Sequence, residues 1–167
     1  MWYLIFIFLH VLSAMIWIGG LMFFVTTMVP FVRKKEFQGV AGSIVEWIGL
    51  RFRYVGWLSL WTLVLTGLIN LHFRGYRWPD YFSAGMWTGY FGETLAVKLI
   101  LVAIIFIISA VHDFYVGPKA TALWKENPDS PASRNYRKAA SWIGRLNLVL
   151  GLCVLMCAIM LIRGWPW

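Results

Sequence analysis

The sequence predicts an all-α integral membrane protein that folds as an antiparallel four-helix bundle, one transmembrane domain over residues 1–167. Two observations predict this class. The chain is 60% hydrophobic and only 13% charged, whereas a soluble domain has about 25% charged residues. Its apolar residues also fall into four runs, each near the roughly 20 residues that a helix needs to cross a bilayer. We therefore expect the lipid bilayer to surround most of the chain.

The four apolar runs lie at residues 2–30, 55–73, 94–116 and 143–162. The first lacks the basic start of a signal peptide and is too long for one, so we expect it to be retained as a span. The connection before the second run mixes apolar and charged residues, which predicts a short helix in the membrane interface. The loop at 74–93 is rich in aromatic residues. These are typical either of an aromatic belt at the headgroups or of a lid over a flat hydrophobic ligand.

The distribution of basic residues predicts the orientation. The net charge is +8, but the basic residues lie between apolar runs rather than on a solvated domain, so we expect no nucleic-acid binding. Eleven of them lie in or just beyond the connections 31–54 and 113–142, and four belong to the other side. Because cytoplasmic loops are enriched in Lys and Arg, we expect a bacterial inner-membrane protein with both termini on the outer side.

Polar residues within the runs are candidates for function, because polar side chains in a bilayer face the bundle interior. At 100° per residue, His10 shares one stripe of the first run with Trp17. Lys98 and His112 share a stripe of the third run, toward its outer and inner ends. Lys98 has the alternative of extending to the headgroups.

Depth in the membrane separates the three histidines. About 20 Å along the membrane normal separates His10 from His112, whereas two nitrogens on one metal must approach within about 4 Å. His72 is the better partner for His10 by depth. By facing it is not, because His72 lies about 160° around the helix from the polar stripe that contains Asn70. We give depth the greater weight, because the last helical turn before a loop can unwind and re-aim His72.

Methionine thioethers offer a second kind of metal ligand, suited to Cu(I). Methionine is also a common filler of apolar cores, and we favour that interpretation for these residues. The residues concerned are Met15, Met22, Met28, Met156 and Met160.

Three stretches resemble known membrane families. The first is LHVLSAMIWIGGL, residues 9–21; the second is RFR at 51–53 with LTGL at 65–68; the third runs from VKL at 97–99 to VHDFY at 111–115. The first and third resemble helices of both the CopD-like proteins and the HemJ-type protoporphyrinogen oxidases, and the second resembles the second CopD helix. The resemblance covers most of the chain.

The two families imply different functions. A CopD-like protein is expected to act in copper uptake or tolerance, whereas a HemJ-type protein is expected to bind haem b and oxidise a porphyrinogen. The HemJ pattern places functional weight on His10, Arg53, Lys98 and His112. The sequence departs from it in Gly117-Pro118 after His112, in the aromatic outer loop, and in His72.

Our leading hypothesis from the sequence is a haem-b-binding membrane protein in electron transfer or in oxidation of a hydrophobic, porphyrin-like small molecule. Its candidate cofactor-binding residues are His10, Trp17, Arg53, Asn70, His72, Lys98 and His112, of which the three histidines are the metal-ligand candidates. His10 is the expected ligand of an outer haem, with His112 serving an inner site. The alternatives are copper transport or tolerance, and a non-catalytic subunit of a membrane complex. The redox partner, and whether the chain forms a homo-oligomer, stay open.

Overall fold

The computed structural model describes residues 2–164, and these residues form four long helices. We label them α1 (Trp2–Val32), α2 (Gln38–Phe73), α3 (Gly89–Glu126) and α4 (Pro131–Arg163). Each is long and apolar enough to cross a membrane. The all-α class and the four predicted spans are confirmed.

The helices alternate in direction because short connections join helices that pack on one another. α1 packs along α2, and α3 packs along α4, while α1 also contacts α4. The fold is therefore an antiparallel bundle in which both termini lie at one end. The connections at residues 33–37 and 127–130 lie at the opposite end, which we call the connection end.

Small residues let bulky side chains fill the middle of the bundle. Trp17 is 5% exposed and packs with Leu60 and Ile105 in the central core cluster. A Cβ atom at Gly151 would come within 2.9 Å of the Trp17 ring, and one at Gly56 would lie 3.8 Å from it. These two glycines make room for the indole. Such small-residue contacts are typical of packed membrane helices.

The helices extend beyond the apolar runs at the connection end. The predicted interface helix is not a separate element but the first part of the continuous helix α2. Its residues Ile44, Val45 and Ile48 pack against a buried cluster that includes Met28 and Val32 of α1. Hydropathy marks the portion of a helix inside lipid, whereas backbone hydrogen bonding and tertiary packing determine where the helix begins and ends.

α3 and α4 are longer than predicted for the same reason. α3 continues past residue 116 to Glu126, and α4 begins at Pro131 rather than at residue 143. Ser130 caps α4, since its side-chain oxygen accepts a hydrogen bond of 3.1 Å from the backbone N–H of Ser133. An ion pair between Glu46 and Lys125 joins the projecting parts of α2 and α3.

Two prolines distort helices near the connection end. α1 has a π-helical turn at Phe24–Met28 ahead of Pro30, and α3 has one at His112–Val116 ahead of Pro118. Proline has no N–H to donate to the carbonyl four residues earlier, and its ring clashes with that carbonyl. A wider turn just before the proline relieves this conflict and lets each helix continue. π-helical turns of this kind are frequent at functional sites.

The aromatic loop between α2 and α3 forms two 3-10 turns, Trp78–Phe82 and Ala84–Trp87. Tyr76 stacks on Phe91, with the ring centroids 5.4 Å apart. Phe82 projects outward and is 89% exposed. An exposed aromatic at this end of the bundle is compatible with the headgroup belt as well as with the lid.

Candidate functional site

A cavity of about 840 Å³ opens at the connection end. Its size lies within the range of about 300–1,000 Å³ that is usual for small-molecule sites. Aromatic and aliphatic side chains form its inner wall, and charged side chains surround its mouth. The wall includes Trp17, Leu21, Phe24, Phe52 and Leu60, and the charged lining includes Arg33, Glu46, Arg53, Asp113, Asp129, Arg134, Arg137, Lys138 and Arg145. The cavity thus has the form of an amphipathic ligand site with a basic mouth.

His112 and Asp113 line this cavity from the π-helical turn of α3. The Nδ1 atom of His112 lies 2.8 Å from Oδ1 of Asp113. A carboxylate can only accept, so the imidazole donates through Nδ1–H, and in the neutral ring the lone pair is then on Nε2. The Nε1–H of Trp57, on α2, donates to Oδ2 of Asp113 at 3.0 Å. Both carboxylate oxygens are therefore engaged.

Further polar groups near His112 have unused hydrogen-bonding capacity. The amide of Asn147 donates to the Ser109 hydroxyl at 3.0 Å, but its Oδ1 is buried and accepts no hydrogen bond from the described residues. Nε of Arg53 is buried and also lacks a partner within residues 2–164. A buried polar group without a partner costs free energy. A polar ligand or ordered water in the cavity would satisfy these atoms.

A second polar group surrounds His10, away from the cavity lining. Nδ1 of His10 lies 2.8 Å from the Thr66 hydroxyl, which itself donates to the Thr62 carbonyl at 2.6 Å. Because the hydroxyl has only one proton, which it donates to the Thr62 carbonyl, it accepts from the His10 Nδ1–H. Gly67 leaves space for the ring, since a Cβ there would lie 3.5 Å from the His10 Cε1. The half-buried Lys98 is close enough for its charge to act on His10.

The structure does not bring His72 to His10. His72 is exposed, and its described ring contact is with the neighbouring Phe73. α2 stays helical through Phe73, so the last turn does not unwind. His72 therefore lies where its angle around the helix predicts, away from the polar stripe, and it does not pair with His10 as its depth suggested. Asn70 is half-buried on the same helix, and its Oδ1 has no hydrogen-bond partner among the described residues.

Trp17 lies in the cavity wall rather than beside His10. It is seven residues, or about 10 Å of helix, further along α1. His10 and His112 consequently belong to separate groups, as their predicted depths require. Whether either group binds a cofactor stays a prediction.

Two features of the site were missed from the sequence. Asp113 follows His112 directly, and regular helical spacing would turn it 100° away. The carboxyl next to an intramembrane histidine was the available signal. Asn147 is a buried amide in the fourth apolar run. The signal in the sequence was a polar residue within a membrane-spanning run.

The residues present fit different metals unequally. No group of three or more His, Cys, Asp or Glu side chains suited to a metal ion occurs within residues 2–164. A closed copper centre of such ligands therefore does not fit the described part of the chain. Haem iron needs only one or two axial protein ligands, because its macrocycle supplies the others. The single imidazole of His112, in a cavity with aromatic walls and basic groups, fits that requirement.

Comparison with known proteins identifies the family. A protein-family model described as "Copper resistance protein D" matches residues 48–161, more than half of the chain. The chain belongs to the copper resistance protein D (CopD) family. This matched region contains His112, Asp113, Arg53 and Trp57, and the CopD resemblance seen in the sequence is confirmed.

A relative matches over nearly the whole length. It is a protein of Aquifex aeolicus (strain VF5) described as "Uncharacterized protein", 28% identical over 162 residues, which are 96% of each chain. No solved structure matches the chain. The protein is thus a membrane protein of the CopD type.

Proposed function

We propose that this CopD-family protein binds haem b in the cavity at its connection end and acts in electron transfer or in oxidation of a hydrophobic small molecule. The observation behind the proposal is the cavity itself, which combines an imidazole with aromatic walls and basic residues in one space of about 840 Å³. When bound, haem supplies one-electron redox chemistry. His112 would ligate the haem iron through Nε2.

The basic residues have a distinct task in this proposal. Arg53 and Arg145 both line the cavity, and guanidinium groups form strong paired hydrogen bonds with carboxylates. They would hold the propionates, while Phe24 and Phe52 contact the apolar part of the macrocycle. The buried Nε of Arg53 would then gain the partner that it lacks.

The proposal changes the expected ligand from His10 to His112, because His10 is not among the residues that line the cavity. The test is single replacement in protein expressed with ample haem and purified in detergent. We expect His112→Ala to lose the Soret absorbance, and His10→Ala, the matched control, to keep it. If His10→Ala loses all haem while His112→Ala keeps it, haem binds at the polar group around His10 and not in the cavity.

Copper handling is the second candidate, favoured by the description of the family that the chain matches. Copper would then be cargo, and transient two-ligand binding by His112 and Asp113 would suffice. Iron and copper contents of the same preparation separate the two functions. Stoichiometric copper with no Soret band in the wild-type protein would favour copper handling over haem binding.

We further propose that the protein lies in a bacterial inner membrane with the cavity mouth in the cytoplasm. Support comes from the basic residues, because eleven of the fifteen lie at or near the connection end. A cytoplasmic mouth would admit the ligand from the side where these bases lie.

A further inference from the structure

The contact between His112 and Asp113 has the form of a paired imidazole and carboxylate that faces a cavity. Nδ1 of His112 and Oδ1 of Asp113 are 2.8 Å apart, and their side chains are 30% and 23% exposed. Both side chains line the cavity. The contact joins adjacent residues, and it occurs within the π-helical turn at His112–Val116.

Trp57 fixes the carboxylate from the neighbouring helix. Its indole N–H donates to Oδ2 of Asp113 at 3.0 Å. The indole is itself held between Phe106 and Phe114, with ring centroids 5.7 and 5.6 Å away. Since Oδ2 is restrained by α2, Oδ1 is held toward His112. The orientation of the imidazole thus depends on two helices.

A carboxylate beside a histidine determines which ring nitrogen has the proton. Asp113 as an acceptor favours the Nδ1–H tautomer, which leaves the lone pair on Nε2. Metal-binding histidines usually donate their second N–H in this way, and loss of the partner typically weakens metal affinity by about 10- to 100-fold. An imidazole with this partner is ready to bind a ligand before the ligand arrives.

We propose that Asp113 is a positioning residue, held by Trp57, that keeps His112 in the tautomer whose Nε2 accepts a ligand in the cavity. For its ligand, haem iron, this inference rests on the proposed function. The tautomer itself is a property of the haem-free protein and can be measured without any ligand.

Asp113→Asn is the decisive variant, because it keeps the size of the side chain and reverses the hydrogen bond. The asparagine oxygen can still accept from Trp57, which directs the amide N–H toward Nδ1 of His112. The ring is then expected to move its proton to Nε2. Trp57→Phe is the second variant, which keeps an aromatic ring beside Phe106 and Phe114 but removes the indole N–H.

The control is Glu126→Gln, a carboxyl-to-amide change at the same end of the bundle. Glu126 is exposed and is not among the residues that line the cavity. It tests whether loss of any negative charge at this end suffices to change the readout.

The first measurement is ¹⁵N NMR of histidine-labelled, haem-free protein in detergent, at a pH where the imidazole is neutral. The chain has three histidines, and loss of one signal in His112→Gln assigns the resonance. We expect an unprotonated Nε2 in the wild type and in Glu126→Gln, and a protonated Nε2 in Asp113→Asn. In Trp57→Phe we expect a mixture of both forms.

The second measurement is the haem affinity of the same proteins. We expect Asp113→Asn to bind haem about 10- to 100-fold more weakly than the wild type, and Glu126→Gln to change by less than about threefold. An unchanged tautomer together with an unchanged affinity in Asp113→Asn would overturn the positioning role. If Asp113→Asn does not fold, a wild-type tautomer and affinity in Trp57→Phe would overturn the restraint by Trp57.

These outcomes separate this inference from the proposed function. A wild-type protein that shows the Nδ1–H tautomer but binds no haem contradicts the function and supports the positioning role. A wild-type protein that binds haem through His112, with Asp113→Asn unchanged in both measurements, supports the function and contradicts the positioning role.

Discussion

Arg53 and Arg51 are two residues apart on α2, yet their guanidinium groups have different surroundings. Arg51 is exposed and lies over Trp47 of its own helix, 4.3 Å from the ring centroid. Arg53 lies over Phe114 of α3 at 5.5 Å, lines the cavity, and has a buried Nε without a partner among the described residues. Only Arg53 is therefore placed to bind an anionic group of a ligand.

Replacement of these two arginines tests that difference. We expect Arg53→Gln to weaken haem binding by about tenfold or more, since a hydrogen bond to a charged group contributes about 1.5–3 kcal/mol. Arg51→Gln is the matched control and should leave the affinity within about twofold. The measurement is a haem titration of the haem-free protein. Equal losses in both variants would indicate a general effect of positive charge rather than recognition by Arg53.

At the scale of the element, glycines determine how closely the outer loop approaches α3. Gly92 is buried in the first turn of α3, and a Cβ there would lie 2.2 Å from the Met86 carbonyl oxygen and 2.7 Å from the Trp87 carbonyl carbon. These are backbone atoms of the preceding turn, so they cannot move aside as a flexible side chain can. The Trp87 indole adds a hydrogen bond of 3.0 Å to the Tyr81 carbonyl. The loop is thus packed against the helix that follows it.

We expect Gly92→Ala to destabilise the protein by about 1–3 kcal/mol or more, the usual cost of an added methyl group in a packed site. Gly19→Ala is the control, because a Cβ at Gly19 meets no atom within 4 Å. Thermal unfolding in detergent compares the two variants, and Gly92→Ala should show a lower Tm than the wild type while Gly19→Ala should not. A wild-type Tm for Gly92→Ala would show that the loop does not pack on α3 this closely.

At the scale of the whole molecule, positive charge is concentrated at the connection end. Six basic side chains and three acidic ones line the cavity and its mouth. This excess attracts anionic ligands. The same basic residues favour retention of the connection end in the cytoplasm. The proposed ligand binding and the proposed orientation therefore depend on the same basic residues.

Cysteine labelling tests the orientation. In a background with Cys153→Ala and Cys157→Ala, Phe82→Cys places a thiol in the outer loop, and Asn127→Cys places one in the exposed turn between α3 and α4. We expect a membrane-impermeant maleimide to label Phe82→Cys in spheroplasts, and Asn127→Cys only after lysis. The reverse pattern would place the cavity mouth outside the cell.

The sequence by itself determined the four spans and the all-α class, because hydropathy is a local property of about 20 consecutive residues. It also separated His10 from His112 by depth, since the rise per residue of a helix is nearly constant. It did not predict the helix ends at the connection end, where Pro118 is accommodated inside α3 rather than ending it. For His72 its facing and its depth pointed to different positions, and the choice depends on whether one helical turn unwinds.

Only the tertiary structure decided what His112 contacts. A π-helical turn adds about one residue to the helix and so changes side-chain direction by about 100°, which a stripe drawn on a regular helix does not include. The bond from Trp57 to Asp113 joins residues 56 positions apart, and the cavity arises where all four helices meet. Such features depend on the rotation and packing of whole helices. The pattern of apolar residues does not report that rotation in a lipid-exposed bundle, because the lipid and the bundle interior are both apolar.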